Sequence, residues 1–371
     1  MHDRLLVGTR KGVFIYRRNN GQWELESSGF LGSEVNIITF DPRDKALYAC
    51  LHLEHFGAKI HRSQDGGASW EEISCPAYPP KPEGLEEKPN PMGENPAPWK
   101  LQKIWSLVPG HPSKPGTLWC GTIPGGLFKS KDSGESWHLV RSLWEREERY
   151  QWFGGGEDYP GIHSILIDPG QENSLTVGVS CGGVWRSDDH GETWECRATG
   201  MIAEYMPPEH QDNPVIQDPH CVAQCDGAPE NQWAQHHNGV FRTTNAGEHW
   251  DRIEDIDPST FGFAVAAHPT DGSTAWLVPG ESDEVRIPID GKVVVTRTRN
   301  GGNSWERLDN GLPKENAYDL VFRHALGVDD SGDCVSFGST TGSLWVSENQ
   351  GDTWTTLSQN LPPIYCVRFA E

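Results

Sequence analysis

The sequence lacks any apolar run of about 18 residues, the length that a membrane-spanning helix needs. Its first residues, MHDRLLVGTRKG, also lack the basic region and apolar stretch of a secretory signal. Basic residues are scarce: 31 Lys and Arg stand against 53 Asp and Glu, for a net charge of −22. Such a surface repels phosphate backbones and anionic lipids, so we expect neither nucleic acid nor membrane as a partner.

Paired cysteine motifs are missing as well. The nine cysteines are an odd number with no repeated Cys-x-x-Cys, and without an export signal we expect reduced thiols and a cytoplasmic protein. The sequence has no G-x-S-x-G nucleophile motif, no P-loop and no dinucleotide-binding glycine motif before a helix. Function must therefore be sought outside these motifs.

What the sequence does contain is one eight-residue turn, repeated six times and always ending in tryptophan. The copies are SQDGGASW (63–70), SKDSGESW (130–137), SDDHGETW (187–194), TTNAGEHW (243–250), TRNGGNSW (298–305) and SENQGDTW (347–354). Their Ser/Thr and Asp/Asn side chains can accept backbone N–H groups, and the central glycine permits a positive φ. We expect the tryptophan to bury its ring beside the next blade, which makes the turn structural.

Around each turn lie four short strand-like segments, shown best by residues 161–169, 174–180, 183–187 and 193–197. Such a unit cannot bury both faces alone, whereas radial stacking buries them in a β-propeller. Six units lie within 34–357, and residues 4–27 with 363–370 supply a seventh. The sequence predicts an all-β, seven-bladed propeller of four-stranded blades as a single domain over 1–371, the last blade closed by both chain ends. A proline-rich insert occupies 75–100.

The repeated turn resembles the BNR or Asp-box repeat, S-x-D-x-G-x-x-W, of sialidases, sortilins and many bacterial propellers. The layout is similar to bacterial BNR/YVTN-like repeat proteins, which are often labelled exo-α-sialidase or glycosyl hydrolase. Genuine sialidases are expected to have six blades and an Arg-Ile-Pro motif ahead of the first box. Here that motif occurs only at 286–288, after the fourth box. The resemblance therefore implies the propeller, and we do not expect a genuine sialidase.

The candidate site is the channel mouth, on the rim that carries three long connections at 75–100, 142–160 and 199–219. Aligning the innermost strands predicts one mouth residue per blade: Asn36, Trp105, His163, His220, Phe263, Tyr318 and Tyr365. Turns between second and third strands add Arg10, Lys11, His52, His55, Cys181 and residues 236–238. The mouth is thus predicted to be aromatic and rich in histidine.

From this ring we assign catalytic roles to His163, His220 and Arg10. The predicted substrate-binding residues are Trp105, Trp152, Tyr318, Tyr365, Lys11 and His55. His163, His220 and His237 are expected to converge and to suit a divalent Zn, Mn or Fe ion. Strand alternation allows only one of His236 and His237 to point inward, so His236 is the alternative to His237. Channel histidines can equally well bond only a backbone carbonyl or water, and that alternative stays open.

The favoured function is a hydrolase or lyase acting on a carbohydrate or similar polar small molecule, with or without the metal. A glycoside hydrolase needs two carboxylates. The candidates are Glu54, Glu147, Glu157, Asp158, Glu204 and Glu281. The alternative is a non-catalytic binding or assembly propeller, and the proline-rich segment is a candidate contact for a homo-oligomer.

Overall fold

In a computed structural model, the described part of the chain forms twenty-eight strands arranged in seven four-stranded antiparallel sheets. The structure describes residues 2–90, 92–93 and 96–371. The innermost strand of each sheet contacts the innermost strands of the two neighbouring sheets, so the seven sheets form a closed ring. The predicted seven-bladed, all-β propeller is therefore confirmed.

The blades follow one another around the ring in chain order. The sheet at the N-terminal end, blade 7, holds β1 (Arg4–Thr9), β2 (Gly12–Asn19) and β3 (Gln22–Gly29). Blade 1 holds β4 (Glu34–Asp41), β5 (Ala46–Leu53), β6 (Gly57–Ser63) and β7 (Glu71–Ile73). Blade 2 holds β8 (Lys103–Pro109), β9 (Leu118–Ile123), β10 (Leu127–Ser130) and β11 (His138–Leu139). Blade 3 holds β12 (Ile162–Ile167), β13 (Leu175–Val179), β14 (Gly183–Ser187) and β15 (Glu195–Cys196).

The second half repeats the same order. Blade 4 holds β16 (Pro219–Cys225), β17 (Ala228–His236), β18 (Gly239–Thr243) and β19 (Asp251–Ile253). Blade 5 holds β20 (Gly262–Ala267), β21 (Ala275–Pro279), β22 (Val295–Thr298) and β23 (Glu306–Leu308). Blade 6 holds β24 (Leu326–Val328), β25 (Val335–Gly338), β26 (Leu344–Ser347) and β27 (Thr355–Ser358). The last strand is β28 (Ile364–Ala370).

Helix is confined to short segments in the connections. They are α1 (Arg141–Trp144) and the 3-10 helices Glu147–Gln151, Pro208–His210, Pro214–Ile216 and Ile289–Gly291. None of the helices in the described part of the chain is long and apolar enough to cross a membrane.

Blade 7 is closed by the two ends of the described chain. Strand β28 pairs antiparallel with β1, from Arg4 opposite Ala370 through Val7 opposite Val367 to Thr9 opposite Ile364. The sheet order is β28-β1-β2-β3, so β28 takes the innermost position that the N-terminal segment lacks. The predicted limits, 4–27 with 363–370, lie within two residues of those observed.

All six repeated turns have the same hydrogen bonds. In the second copy, Ser130 Oγ accepts the Gly134 N–H at 2.9 Å and Asp132 Oδ1 accepts the Ser136 N–H at 2.9 Å. Equivalent bonds occur in the other five copies, and the fifth residue is always a glycine of positive φ. Each turn therefore fixes the connection between the third and fourth strands of its blade.

The turn tryptophans pack against the preceding blade, so the expected contact with the next blade was wrong. Trp250 of blade 4 is 1% exposed, and its Nε1–H donates to the Arg197 carbonyl after blade 3 at 2.7 Å. Trp137 of blade 2 donates to the Ser74 carbonyl after blade 1 at 3.0 Å.

The predicted register of blade 6 was also wrong. Its innermost strand starts at Leu326, and Tyr318 lies in the connection before it, 62% exposed. His324 occupies the mouth position instead, five residues before Asp329, as His163 stands five before Asp168. The segment AYDLVFRHALGVDD contains two apolar runs, and only the second pairs with β25.

The proline-rich insert is anchored on blade 2 and on the helical connection that follows it in its own chain. The Tyr78 hydroxyl donates to the Pro124 carbonyl at 2.6 Å, and its ring lies 4.9 Å from that of Trp144. Glu87 forms a buried ion pair with Arg149 at 3.1 Å. The proposed role of this segment in a homo-oligomer stays a prediction.

Candidate active site

Two adjoining cavities lie at one mouth of the channel. The smaller, about 270 Å³, contacts the Asp218 and His220 side of the ring, and the larger, about 500 Å³, lies toward Trp105 and Tyr365. Gly156, Phe263, Arg286 and Arg323 line both cavities. This is the rim that the sequence predicted, and two of its long connections contribute, through residues 153–157 and Tyr205.

Asp218, His220 and His237 form the densest polar cluster of the smaller cavity. His220 begins the innermost strand of blade 4, and His237 lies in the turn after β17. Asp218 Oδ2 lies 3.4 Å from His220 Nε2 and 3.7 Å from His237 Nδ1. The structure thus brings two of the three predicted metal ligands together with a carboxylate that the prediction omitted.

The other atoms of this cluster have partners of their own. Asp218 Oδ1 accepts the Ser180 hydroxyl at 3.1 Å and the Cys181 N–H at 3.0 Å. His220 Nδ1–H donates to the Gly262 carbonyl at 2.7 Å, and the ring stacks on Phe263 at 4.6 Å. These contacts hold Asp218 Oδ2 and His220 Nε2 facing each other.

The electrostatics of the cluster favour an ionised aspartate. Burial alone would raise the pKa of Asp218, but the hydrogen bond and charge of His220 outweigh it and hold the pKa far below its usual range. Burial lowers the pKa of His237, which the charge of Asp218 partly offsets. Burial raises the pKa of the Tyr205 hydroxyl and of the Cys181 thiol, so both stay protonated at neutral pH.

His163 lies outside this cluster. It is 1% exposed, its Nδ1 lies 2.9 Å from the Ser164 hydroxyl, and its ring meets Trp105 edge-on at 5.7 Å. Its backbone carbonyl accepts the His324 Nε2–H at 2.8 Å. Burial lowers the pKa of His163 well below its ordinary value, so the ring is neutral. These contacts place His163 in the channel lining of blade 3, beside Trp105 of blade 2, with His324 of blade 6 reaching it across the channel.

The other predicted residues divide into three groups. Trp105 and Tyr365 line the larger cavity, as expected. Trp152 is 3% exposed and packs at 5.8 Å on Trp185 in the interior of blade 3, away from the cavities. Three predicted residues are exposed in mouth-side turns and do not line either cavity: Arg10, Lys11 and His55.

Sequence reasoning missed Arg323, which lines both cavities. Its guanidinium carbon lies 4.1 Å from the centre of the Trp105 ring, and its buried Nη1 has no protein hydrogen-bond partner among the described residues. Burial lowers the pKa of this guanidinium. The spacing from His324 to Asp329 was the signal that would have placed Arg323 at the mouth.

Asp283 and Arg286 were missed too, because the Arg-Ile-Pro match was weighed only as a sialidase motif. They lie in the connection between β21 and β22 and pair with each other at 2.5 Å. The Arg286 guanidinium lies 5.4 Å from the centre of the Phe263 ring. Asp283 Oδ2 lies 3.9 Å from His237 Nε2. The motif therefore contributes to this mouth in a different position from the one sialidases give it.

Comparison with known proteins finds xyloglucanases among the proteins to which this chain is similar. No family model matches the sequence. The chain is 26% identical over 365 residues to an oligoxyloglucan-reducing end-specific xyloglucanase of Emericella nidulans, covering 95% of this chain. Its curated relatives include xyloglucanases. However, the chain spans only 38% of the length of that relative.

Solved structures share the fold at lower identity. The GH74 xyloglucanase of Xanthomonas campestris superposes with a TM-score of 0.65 and 18% identity, over 100% of this chain and 52% of that one. YCF48 bound to D1 peptide superposes with a TM-score of 0.52 and 15% identity, over 89% of this chain and 84% of that one. These likenesses show the propeller fold alone.

Proposed function

We propose that the protein is a carbohydrate-acting hydrolase whose active site is the pair of mouth cavities. The observation that carries the proposal is the combination of aromatic faces with carboxylates around one opening. Trp105 and Tyr365 offer ring faces, while Glu157 and Asp218 offer carboxylates. Aromatic rings pack on the apolar faces of sugars, and glycosidic cleavage needs a carboxylate pair.

The structure narrows the carboxylates that can take part. Of the six candidates from the sequence, Glu54 and Glu157 line the larger cavity. Glu204 pairs with Arg252 at 2.5 Å outside both cavities. Asp218 is held ionised, which suits a base or a metal ligand and not a proton donor. We take Glu157 as the candidate general acid because it follows Gly156, which lines both cavities.

Xyloglucan-type oligosaccharides are the proposed substrate class, and the xyloglucanase relatives support it. Those relatives are much longer chains, so their specificity is part of the proposal. We also propose that the six turns are Asp boxes of the BNR type, which their shared hydrogen bonds support. A divalent ion assisting the reaction and a cytoplasmic setting belong to the same proposal.

The test is product analysis by mass spectrometry after incubation with xyloglucan-derived and other β-glucan oligosaccharides. Glu157→Gln keeps the shape of the side chain but cannot donate a proton, and should lower kcat at least about 100-fold. Glu147→Gln is the matched control, because Glu147 is exposed on a 3-10 helix outside both cavities. Equal loss in the two variants, or no cleavage of any oligosaccharide by the wild type, would contradict the proposal.

A non-catalytic binding propeller is the second candidate, and exposed apolar side chains on the same rim favour it. Phe56 is 80% exposed, Leu31 68% and Tyr318 62%, all in mouth-side connections. Exposed patches of this kind mark interaction sites when they are contiguous. Oligosaccharide or peptide binding without cleavage, unchanged in Glu157→Gln, would favour this function over the hydrolase.

A further inference from the structure

We propose that Asp218, His220 and His237 bind one divalent transition-metal ion at the side of the smaller cavity. Zinc binds nitrogen and oxygen ligands at about 2.0–2.1 Å, so the edges of a tetrahedral ligand set are roughly 3.4 Å long. The two distances from Asp218 Oδ2, 3.4 Å to His220 Nε2 and 3.7 Å to His237 Nδ1, match such edges. All three ligand atoms lie within 4.8 Å of one another, so one ion can contact them together after the side chains adjust.

The hydrogen bonds of His220 show why a cation belongs there. A carbonyl oxygen only accepts, so the contact with Gly262 requires the proton to be on His220 Nδ1. His220 Nε2 faces Asp218 Oδ2, and an imidazole that carries its single proton on Nδ1 offers this acceptor only a lone pair. Two acceptors at 3.4 Å repel each other unless a proton or a metal ion lies between them. A bound ion resolves this conflict and uses both lone pairs.

The contacts around Asp218, His220 and His237 resemble those that orient the ligands of a metal site. Metal-ligating histidines usually donate their second ring nitrogen to a carbonyl or carboxylate, which fixes the ring. His220 meets this condition through Gly262, and His237 Nε2 lies 3.9 Å from Asp283 Oδ2. Asp218 Oδ1 is held by Ser180 and Cys181, which leaves Oδ2 for the ion. Asp218 and His220 are thus held by hydrogen bonds at their other atoms, and the Asp283 carboxylate lies near the second ring nitrogen of His237.

The donor set indicates which ions fit. Two imidazoles with one carboxylate favour Zn²⁺, Mn²⁺ or Fe²⁺ over Mg²⁺ and Ca²⁺, which prefer oxygen ligands throughout. All three residues line the 270 Å³ cavity, so the remaining coordination position faces the proposed substrate space. Binding of the ion is independent of the hydrolase assignment, and only its use on a substrate oxygen rests on the proposed function.

The experiment is zinc titration of untagged protein stripped with EDTA, using competition with a chromophoric chelator. We expect about one Zn²⁺ per chain. Asp218→Asn and His220→Ala should weaken binding at least about 100-fold, and added Zn²⁺ should raise the Tm of the wild type but not of these two variants. His163→Ala is the matched control, since His163 holds the equivalent strand position in the neighbouring blade, and it should bind like the wild type.

His237→Gln guards against variants that fail to fold, because His237 is partly exposed in a turn and its loss should spare the core. Equal zinc affinity in all variants, or no binding at micromolar Zn²⁺, would overturn the site in favour of a shared proton. Cleavage of oligosaccharides by metal-free protein would refute the metal's catalytic use while leaving the hydrolase intact. Zinc binding without any cleavage would refute the hydrolase and leave the metal site.

Discussion

Removal of β28 should unfold the propeller. A chain that ends at Pro363 loses Ile364, Cys366, Val367 and Ala370, each 0% exposed, and Phe369, 8% exposed. Burying an Ile, Val or Phe side chain contributes about 1.5–3 kcal/mol, so these three alone contribute roughly 5–9 kcal/mol. Whole domains are stable by only about 5–15 kcal/mol. The truncation also leaves β1 as an unpaired edge.

The assay is thermal unfolding followed by circular dichroism, with size-exclusion chromatography to detect aggregates. Deletion of Glu371 alone is the control, because Glu371 is exposed and should change the Tm little. A circular permutant should restore stability if it joins Glu371 to His2 and opens the chain between β27 and β28, since Arg4 and Ala370 are paired neighbours. A truncated chain that keeps the wild-type Tm would refute the argument that β28 closes the ring.

Three further predictions concern the turns and the mouth. Trp250→Ala should lower the free energy of unfolding by about 3–5 kcal/mol, and Trp137→Ala should lower it less because the Trp137 ring is partly exposed. Denaturant titration measures both losses, and equal losses would contradict the packing described. Hydrogen bonds lower the pKa of the turn aspartates Asp65, Asp132 and Asp189 to about 2, below the unfolded value of about 3.9, so the stability they add is lost as the pH falls from about 4 to 2. Replacing all three by Asn should make the Tm depend less on pH in that window, and parallel curves of Tm against pH would refute this prediction. Arg323→Met should change the free energy of unfolding by no more than about 1 kcal/mol relative to the wild type, because it removes both a desolvated charge and a cation–π contact. It should nevertheless weaken oligosaccharide binding, measured by calorimetry, about tenfold or more. A large fall in Tm would show that Arg323 is structural.

The fold could be predicted because the sequence repeats its own local chemistry. Each turn specifies its geometry through residues within eight positions, and six copies in register fix the number and order of the strands. The seventh blade followed from counting the strands left over at both ends. The packing direction of the tryptophans could not be predicted, because it depends on contacts between neighbouring blades and not on the turn itself.

A site residue could be predicted only where the strand register of its blade was predicted correctly. His220 and Trp105 follow from aligned strand starts, whereas His324 was missed through a six-residue error in blade 6. Asp218 precedes its strand and acquires its role from Ser180, on the neighbouring blade, and from His237, in the next turn. Asp283 and Arg286 come from a connection whose path the sequence does not specify. Pairings between blades are tertiary contacts, and no repeat encodes them.

The pairing of Val7 with Val367 also determines how the ring can assemble. Every other sheet is built from consecutive hairpins, so six blades can form from local contacts while this last sheet waits for the two most distant segments. Until then β1 presents an open edge and β28 is an unattached strand. At high concentration the strand of one molecule can pair with the edge of another, which produces a domain-swapped dimer during refolding. The pairing of β28 with β1 that closes the ring is thus also the contact through which two molecules can exchange strands.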